Sequence, residues 1–273
     1  MLTIDAWLRQ NGAHFRHELE ILARAYFGVS KAEFISRSDQ SITSNLKNYL
    51  SDALVKLKRG IPLAYLLGYK EFWSLEFQVN RNVLIPRPET ELIVEKSIEL
   101  ANHGDSVLEL GTGSGAIAIA LAKERPDLSI TATDISIQAL EVARENARKH
   151  KCKITLEHSD WFQSVSGMWN LILSNPPYIA ENDPHLDFLA MEPRVALVSG
   201  PTGFEALDVL IENAHNHLKP CGHLIIEHGI GQAQEIKKKL ASHHFTEISS
   251  HKDLANMNRI VTAQQVSPEY GRY

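Results

Sequence analysis

Asn175-Pro176-Pro177-Tyr178 joins a planar acceptor, a stiff backbone and an aromatic ring in four consecutive residues. Proline fixes φ, has no backbone N–H, and drives the residue before it into extended backbone. Asn175 and Pro176 each precede a proline, so their carbonyls are held stiffly with few competing donors. The Asn175 side-chain oxygen and the Pro176 main-chain oxygen, aimed at one point, form a two-acceptor fork for the hydrogens of a planar –NH2 group. Tyr178 adds a flat ring against which an amide or a base can stack. Alone, the tetrapeptide fits a rigid loop after a strand equally well. The –NH2 reading needs a matching site upstream.

Glu109-Leu110-Gly111-Thr112-Gly113-Ser114-Gly115 is the candidate for that site, ending one predicted strand and opening a helix. Glycines there permit a tight turn and close approach of the backbone to a ligand. Asp134 follows Gly111 by 23 residues and ends the next predicted strand, where a carboxylate can take both ribose hydroxyls. Gly111, Gly113 and Ala116 also satisfy the dinucleotide pattern, with an acidic residue at its usual spacing. Glu109 tips the balance, because a carboxylate is unfavourable beside a pyrophosphate and suits the ammonium of a methionine moiety. The Asn-Pro-Pro-Tyr segment, just after the fourth strand at the carboxyl edge of the sheet, tips it further. Asp160 is placed to accept from an adenine amino group and Trp161 to wall the ring; a plain Asp/Trp turn is the alternative. Cys152 and Cys221 lack metal-ligand spacing and read as buried small hydrophobes in a reducing compartment. No metal site is expected.

The elements that must position these residues alternate. Predicted strands Ser106–Leu110, Ser129–Thr133, Lys153–Glu157, Asn170–Ser174 and His223–Glu227 are interleaved with helices Ala116–Lys123, Ile137–His150, Phe204–Leu218 and Gln232–Leu240. This alternation implies an α/β fold, a doubly wound and mainly parallel sheet with helices on both faces. Thr246–Ser250 and Arg259–Gln264 follow without a helix between them and predict an antiparallel C-terminal hairpin. Ahead of the sheet, Phe72–Val79 reads as a strand pair, and Pro86 and Pro88 hold the chain extended until a helix opens there and runs to about Asn102. The first part reads as short helices: Ile4–Gln10 capped by Thr3, His17–Phe27 stopped by Gly28, Lys31–Arg37 capped by Ser30, and one from Ser41 or Thr43 to Arg59. Leu46, Leu50, Leu54 and Leu57 form an amphipathic stripe in the last of these. The expected division is a helical domain over 1–70, a β-hairpin and linker over 71–88, and a catalytic domain over 89–273.

At 273 residues with 44% hydrophobic and 22% charged residues, the chain has ordinary globular composition. It has no apolar run long enough to span a bilayer and no signal peptide. The reading is a cytoplasmic protein. Charge is unevenly spread: residues 1–88 hold 12 Lys and Arg against 8 Asp and Glu, leaving 16 against 25 in residues 89–273. The larger part is thus acidic, which argues against nucleic acid as the main partner.

The Glu-Leu-Gly-Thr-Gly-Ser-Gly segment with Asp134 resembles the class I S-adenosylmethionine-dependent methyltransferases. Leu84-Ile85-Pro86-Arg87-Pro88-Glu89-Thr90-Glu91, taken with Asn-Pro-Pro-Tyr, resembles specifically the release-factor glutamine methyltransferases (the HemK/PrmC family). The likeness continues through Glu192–Leu197, Gly203–Leu207 and Ile226–Gly229, and so covers essentially the whole chain. One departure is Ser199-Gly200-Pro201-Thr202-Gly203, where the family usually has Gly-Gly-x-Asp-Gly. The resemblance implies a seven-stranded methyltransferase sheet with a small N-terminal helical domain that binds substrate. It implies methyl transfer from S-adenosylmethionine, leaving S-adenosylhomocysteine, to the side-chain amide nitrogen (N5) of the Gly-Gly-Gln glutamine of release factors. Catalysis would fall to Asn175, Pro176 and Tyr178, with Pro177 joining them in binding substrate. The cofactor would be held by Glu109, Gly111, Thr112, Gly113, Ser114, Gly115, Asp134, Asp160, Trp161 and Asn175. Release factors are the expected partners, with no direct nucleic acid, no membrane and a monomeric chain. The rivals are an amino methyltransferase acting on a flipped base, a nicotinamide-dependent dehydrogenase and a non-catalytic binding module.

Overall fold

The computed structural model describes residues 2–266; Met1 and the last seven residues assigned above to the catalytic part, 267–273, lie outside the described residues. The chain forms two compact units, Met1–Tyr69 and Lys70–Tyr273. The first unit is helical: α1 (Ile4–Gly12), α2 (Arg16–Phe27), α3 (Lys31–Arg37), α4 (Ser44–Lys58) and α5 (Leu63–Leu67). Caps set the ends. Thr3 and Thr43 accept from backbone N–H groups of the first turns of α1 and α4. Ser30 and Glu33 form a reciprocal capping box on α3, and Gly28 ends α2 at φ 65°, a conformation that glycine adopts without strain. Leu46, Leu50, Ala53 and Leu57 bury one side of α4 against Leu19, Leu22 and Trp7. Lys47, Lys56, Lys58 and Arg59 stay exposed. The short α5 had no counterpart among the expected elements, because five residues after Ile61-Pro62 are too few to show a period.

A hairpin follows, β1 (Tyr69–Phe72) and β2 (Leu75–Gln78), which turns on Trp73 and Ser74 at φ 51° and 55°. After α6 (Glu91–Leu100) come β3 (Ser106–Leu110), α7 (Ala116–Glu124), β4 (Ser129–Asp134), α8 (Ile137–His150), β5 (Thr155–His158) and β6 (Trp169–Ser174). Then follow α9 (Glu205–Ala214), β7 (Leu218–Glu227), α10 (Ala233–Ser242), β8 (Thr246–Lys252) and β9 (Asn258–Gln264). The seven strands β3 to β9 form one sheet in the order β5-β4-β3-β6-β7-β9-β8. The first five strands run parallel and β9 pairs antiparallel with both β7 and β8. The expected doubly wound sheet with its antiparallel C-terminal edge is therefore the fold. Val107, Leu171, Leu173 and Ile225 pack with α6 and α7 on one face, while Leu108, Leu110, Ile172 and Ile226 pack with α9 and α10 on the other. This follows from the two-residue alternation of strands buried on both faces.

Two local expectations are corrected. The helix expected over Phe204–Leu218 ends at Ala214, because Leu218 is buried as a strand residue beside Trp169, whose N–H donates to the His217 carbonyl at 2.7 Å. The chain bulges between Leu218 and His223 before pairing resumes. Cys221 sits in that bulge at φ 60° and is exposed, not buried; Cys152 is half-buried. No helix among the described residues is long and apolar enough to cross a membrane.

Candidate active site

Strand register alone assembles the site. Leu110 lies opposite Ser174, and Ser174 opposite Ile226, so the residues that follow β3 and β6, Gly111 and Asn175, adjoin at the point where strand order reverses, with Glu227 beside them. Ligands of open α/β sheets bind outside the carboxyl ends of the strands at such a point. A cavity of 380 Å³ opens there, lined by Gly111, Gly113, Asp134, Asp160, Trp161 and Asn175, with apolar walls from Val83, Leu84, Val195 and Val209. That volume is in the range of small-molecule sites.

The glycine loop is drawn tight by its neighbours. Gly111 and Thr112 both donate to the Thr133 carbonyl at 2.9 Å. Gly113 N–H donates to Asp134 Oδ2 and Ser136 N–H to Asp134 Oδ1, each at 2.8 Å. Each oxygen of Asp134 keeps a lone pair beyond these bonds. Burial raises the Asp134 pKa above the ordinary carboxylate value, and the two backbone N–H groups pull it back. Gly115 lies at φ 82°, where an added Cβ would meet Ile119 Cδ1 at 2.9 Å and Ala143 Cβ at 3.2 Å; the loop needs glycine there for shape as well as for backbone freedom.

Glu109 is buried, and its Oε2 accepts from Thr112 Oγ1 at 2.8 Å and from Ala118 N at 3.1 Å. Desolvation dominates and pushes its carboxyl up to about 8. Glu109, Thr112 and Ser114 do not line the large cavity; they line a smaller one with Gly111, Gly113 and Asn175. Trp161 sits at φ 48°, with its carbonyl accepting from Ser159 Oγ at 2.8 Å. Strain of this kind costs on the order of 1–3 kcal/mol and persists where the surroundings enforce it. Asp160 Oδ2 accepts from Gln163 Nε2 at 3.0 Å.

The Asn-Pro-Pro-Tyr segment is divided among different tasks. Asn175 lines the large cavity, the small one and a third of 230 Å³ that also takes in Tyr178, Leu84 and Arg87. Pro177 lines the large cavity. Pro176 is buried and lines none of the three. Asn175 Nδ2 donates to Thr90 Oγ1 at 3.0 Å. Among the described residues, no donor reaches Asn175 Oδ1 or the Pro176 carbonyl. Tyr178 Oη donates to Glu227 Oε1 at 3.3 Å, and burial holds that phenol well above its ordinary range.

Thr90 and Glu227 belong to motifs that were legible, but no role could be read for either. Thr90 is buried on a 3-10 turn, Pro88–Thr90, and donates to Glu227 Oε2 at 2.6 Å. Glu227 ends β7 wholly buried. Desolvation pushes it up to about 7 against the pull of the Thr90 and Tyr178 hydroxyls and of Arg259. Glu192 is the third missed residue of consequence. Its Oε1 pairs with Arg87 and its Oε2 accepts from Ile85 N at 3.0 Å, so it pins the Pro86–Thr90 segment from across the chain. At the departure from the family pattern, Thr202 Oγ1 accepts from Phe204 N at 3.3 Å and Ser199 Oγ from Ala206 N at 2.7 Å. Both hydroxyls thus satisfy N–H groups at the start of α9, a task also open to an Asp side chain. No histidine lines any of the three cavities.

Residues 89–252 match the methyltransferase small domain and residues 6–68 the PrmC N-terminal domain. The chain is 38% identical over 254 residues to the release factor glutamine methyltransferase of Coxiella burnetii, covering 92% of each chain. It is 34% identical to that of Neisseria gonorrhoeae, covering 95% of this chain and 96% of the relative. The crystal structure of a methyltransferase from Pyrococcus furiosus shares the fold at a TM-score of 0.57 and 19% identity, over 79% of this chain and 99% of the other. Whole-length identity at this level, together with both domain matches, places the chain in the release factor glutamine methyltransferase family.

Proposed function

We infer that the chain transfers a methyl group from S-adenosylmethionine to the side-chain amide nitrogen of the Gly-Gly-Gln glutamine of peptide-chain release factors. The observation that carries this reading is the Asn175 amide: its N–H is spent on Thr90, which leaves Oδ1 as a free acceptor where the cofactor cavity meets the cavity beside Tyr178. S-adenosylmethionine supplies an electrophilic sulfonium methyl group. A glutamine amide nitrogen is a poor nucleophile, because its lone pair is delocalised into the carbonyl. Two acceptors, Asn175 Oδ1 and the Pro176 carbonyl, bind its two hydrogens, favour positive charge growing on nitrogen and aim the lone pair. Positioning and preorganised electrostatics are then most of the catalysis. The alkylated nitrogen is strongly acidic, so no dedicated base is required. Tyr178, fixed through its hydroxyl, and Pro177 wall the acceptor.

On the cofactor side, Asp134 offers its spare lone pairs to the ribose hydroxyls, and Asp160 and Trp161 take the adenine. Gly111 to Gly115 pass close beneath the methionine moiety, and Glu109 faces its ammonium. Glu109, pushed up to about 8 by burial, is protonated below that pH, and a cation binding beside it must drive the proton off. Affinity for S-adenosylmethionine is therefore expected to rise from pH 6 toward 7.5, by up to about tenfold per pH unit, and Glu109→Gln to flatten the rise. Calorimetric affinities independent of pH over that range would remove Glu109 from the ammonium site.

The helical unit, with its basic balance, is the proposed holder of the protein substrate; its sequence matches the PrmC N-terminal domain. A monomeric, cytoplasmic enzyme without direct nucleic-acid contact completes the proposal. Incubation with methyl-labelled S-adenosylmethionine and purified release factor, with DNA in a parallel reaction, tests it. Label mapped to the Gly-Gly-Gln glutamine supports the reading, and label on a base overturns it.

A further inference from the structure

We propose that Thr90 and Glu227 are positioning residues that fix which end of the Asn175 amide faces the acceptor. The proposal rests on the function inferred above and deepens it. An asparagine side chain has nearly the same shape with its oxygen and nitrogen exchanged, and only its hydrogen-bond partners choose between the two orientations. One orientation offers an acceptor to an incoming –NH2 group; the other offers a donor, which repels it.

The choice is made by a chain of bonds with one direction. An ionised Glu227 can only accept. Thr90 has a single hydroxyl hydrogen, and with Glu227 Oε2 2.6 Å away that hydrogen is given to the carboxylate. What Thr90 Oγ1 has left for Asn175, at 3.0 Å, is a lone pair. A lone pair selects the Asn175 –NH2, so Oδ1 must point the other way. Tyr178 enforces the same polarity by donating to Glu227 Oε1. Burial, with Glu89 beside Thr90 adding to it, opposes the charge on Glu227 and holds its carboxyl at about 7, while the two hydroxyls and Arg259 on β9 favour the charge; the chain of bonds has this direction in the ionised form, which prevails above that pH. The polarity of Glu227 thus reaches the acceptor through one hydroxyl, although neither Thr90 nor Glu227 touches the transferred group. The arrangement is held in place: Thr90 is buried on its 3-10 turn, and Glu192 fixes the segment just before it through Arg87 and the Ile85 N–H.

Thr90→Val keeps the shape of the side chain and deletes the hydroxyl. The Asn175 –NH2 then faces a methyl group with no acceptor, so the orientation that turns it toward the cavity becomes the favoured one, and kcat is expected to fall about ten- to hundred-fold, the scale of a buried unsatisfied donor. KM for the release factor and the Kd for S-adenosylmethionine should stay within about threefold, since Thr90 lines the small cavity beside Glu109 and valine keeps the shape of that wall. Thr90→Ser restores the hydroxyl and is expected to return kcat to within about threefold of wild type. A purely structural role would instead show as a lowered melting temperature with the rate following the folded fraction. Where the valine variant fails to fold, Thr90→Ala removes the same hydroxyl and is read in the same way. A folded Val or Ala variant with wild-type kcat, or a folded Ser variant as slow as the valine, overturns the proposal. Asn175→Ala run alongside separates the two readings. If it alone is inactive, the relay fails and the fork survives; if it too is active, the fork itself has failed.

Discussion

Asn175→Ala is expected to lower kcat by about 10³-fold while the Kd for S-adenosylmethionine stays within about threefold, the scale set by removing one preorganised polar group from a transition state. The substitution deletes one prong of the acceptor fork and nothing else of comparable strength. The strand that carries the residue is unaffected, because Leu171, Ile172 and Leu173 are buried in the sheet and Ser174 Oγ still donates to the Leu110 carbonyl at 2.8 Å. Most of the cofactor cavity is made by other residues: Asp134, Asp160, Trp161 and the glycines. Binding and chemistry should therefore separate, which is the signature of an interaction realised only as charge develops on nitrogen. Asn175→Asp sharpens the point. It keeps an oxygen but offers no N–H to Thr90, and it sets a second carboxylate close to the buried Glu227. The rate is expected to remain as low as that of the alanine variant. Single-turnover rates with saturating cofactor, beside calorimetric affinities, check both. Near-wild-type turnover in either variant would sink the fork.

The sheet, its order reversal and the residues at its carboxyl edge were legible because each rests on a local rule. Alternating strands and helices dictate a parallel sheet, glycines mark the turn after β3, and prolines stiffen the loop after β6. Asp134, Asp160, Trp161 and Asn175 line one cavity. Thr90 and Glu227 were not legible as partners, since 137 residues separate them and only the packing of the Pro88–Thr90 turn and α6 against β7 brings them together. The same holds for Glu192, which reaches back 105 residues to Arg87 and 107 to Ile85. Glu109 shows a different limit. Its place before the glycines suggested a carboxylate facing a ligand, but its bonds to Thr112 and Ala118 and the burial that raises its pKa depend on α7 packing over it. Leu218 misled because Glu205–Ala214 is amphipathic and nothing in the following four residues stops a helix; pairing with β6 stops it instead. Local rules reveal which residues can do chemistry. Non-local packing decides which way each one points.

Asp134→Ala carries the second large expected effect, on binding rather than on rate. A carboxylate that accepts from two ribose hydroxyls makes two charge-assisted bonds, each worth roughly 1.5–3 kcal/mol. Loss of both is expected to weaken S-adenosylmethionine binding by at least about a hundred-fold. Asp134 has a second task, which the test must separate from the first: its oxygens also hold the Gly113 and Ser136 N–H groups at 2.8 Å. Alanine removes the ribose acceptors and loosens the glycine loop together, so its effect on affinity mixes the two. Asp134→Asn separates them. Its one acceptor oxygen can keep either N–H but not both, it has no negative charge to strengthen a bond to a hydroxyl, and its shape leaves the loop in place. If the ribose contact dominates, the asparagine variant should lose most of the affinity that alanine loses, with an unchanged melting temperature. If loop support dominates, asparagine, which still holds one of the two N–H groups, should bind between wild type and alanine, with its melting temperature lowered. The ligand supplies a further control: a 2′-deoxy analogue of S-adenosylhomocysteine should bind the wild type more weakly than the parent compound and bind Asp134→Ala no differently from it. Equal affinity of the two compounds for the wild-type protein in calorimetry would show that the 2′-hydroxyl gains nothing from Asp134 and would overturn the two-hydroxyl contact.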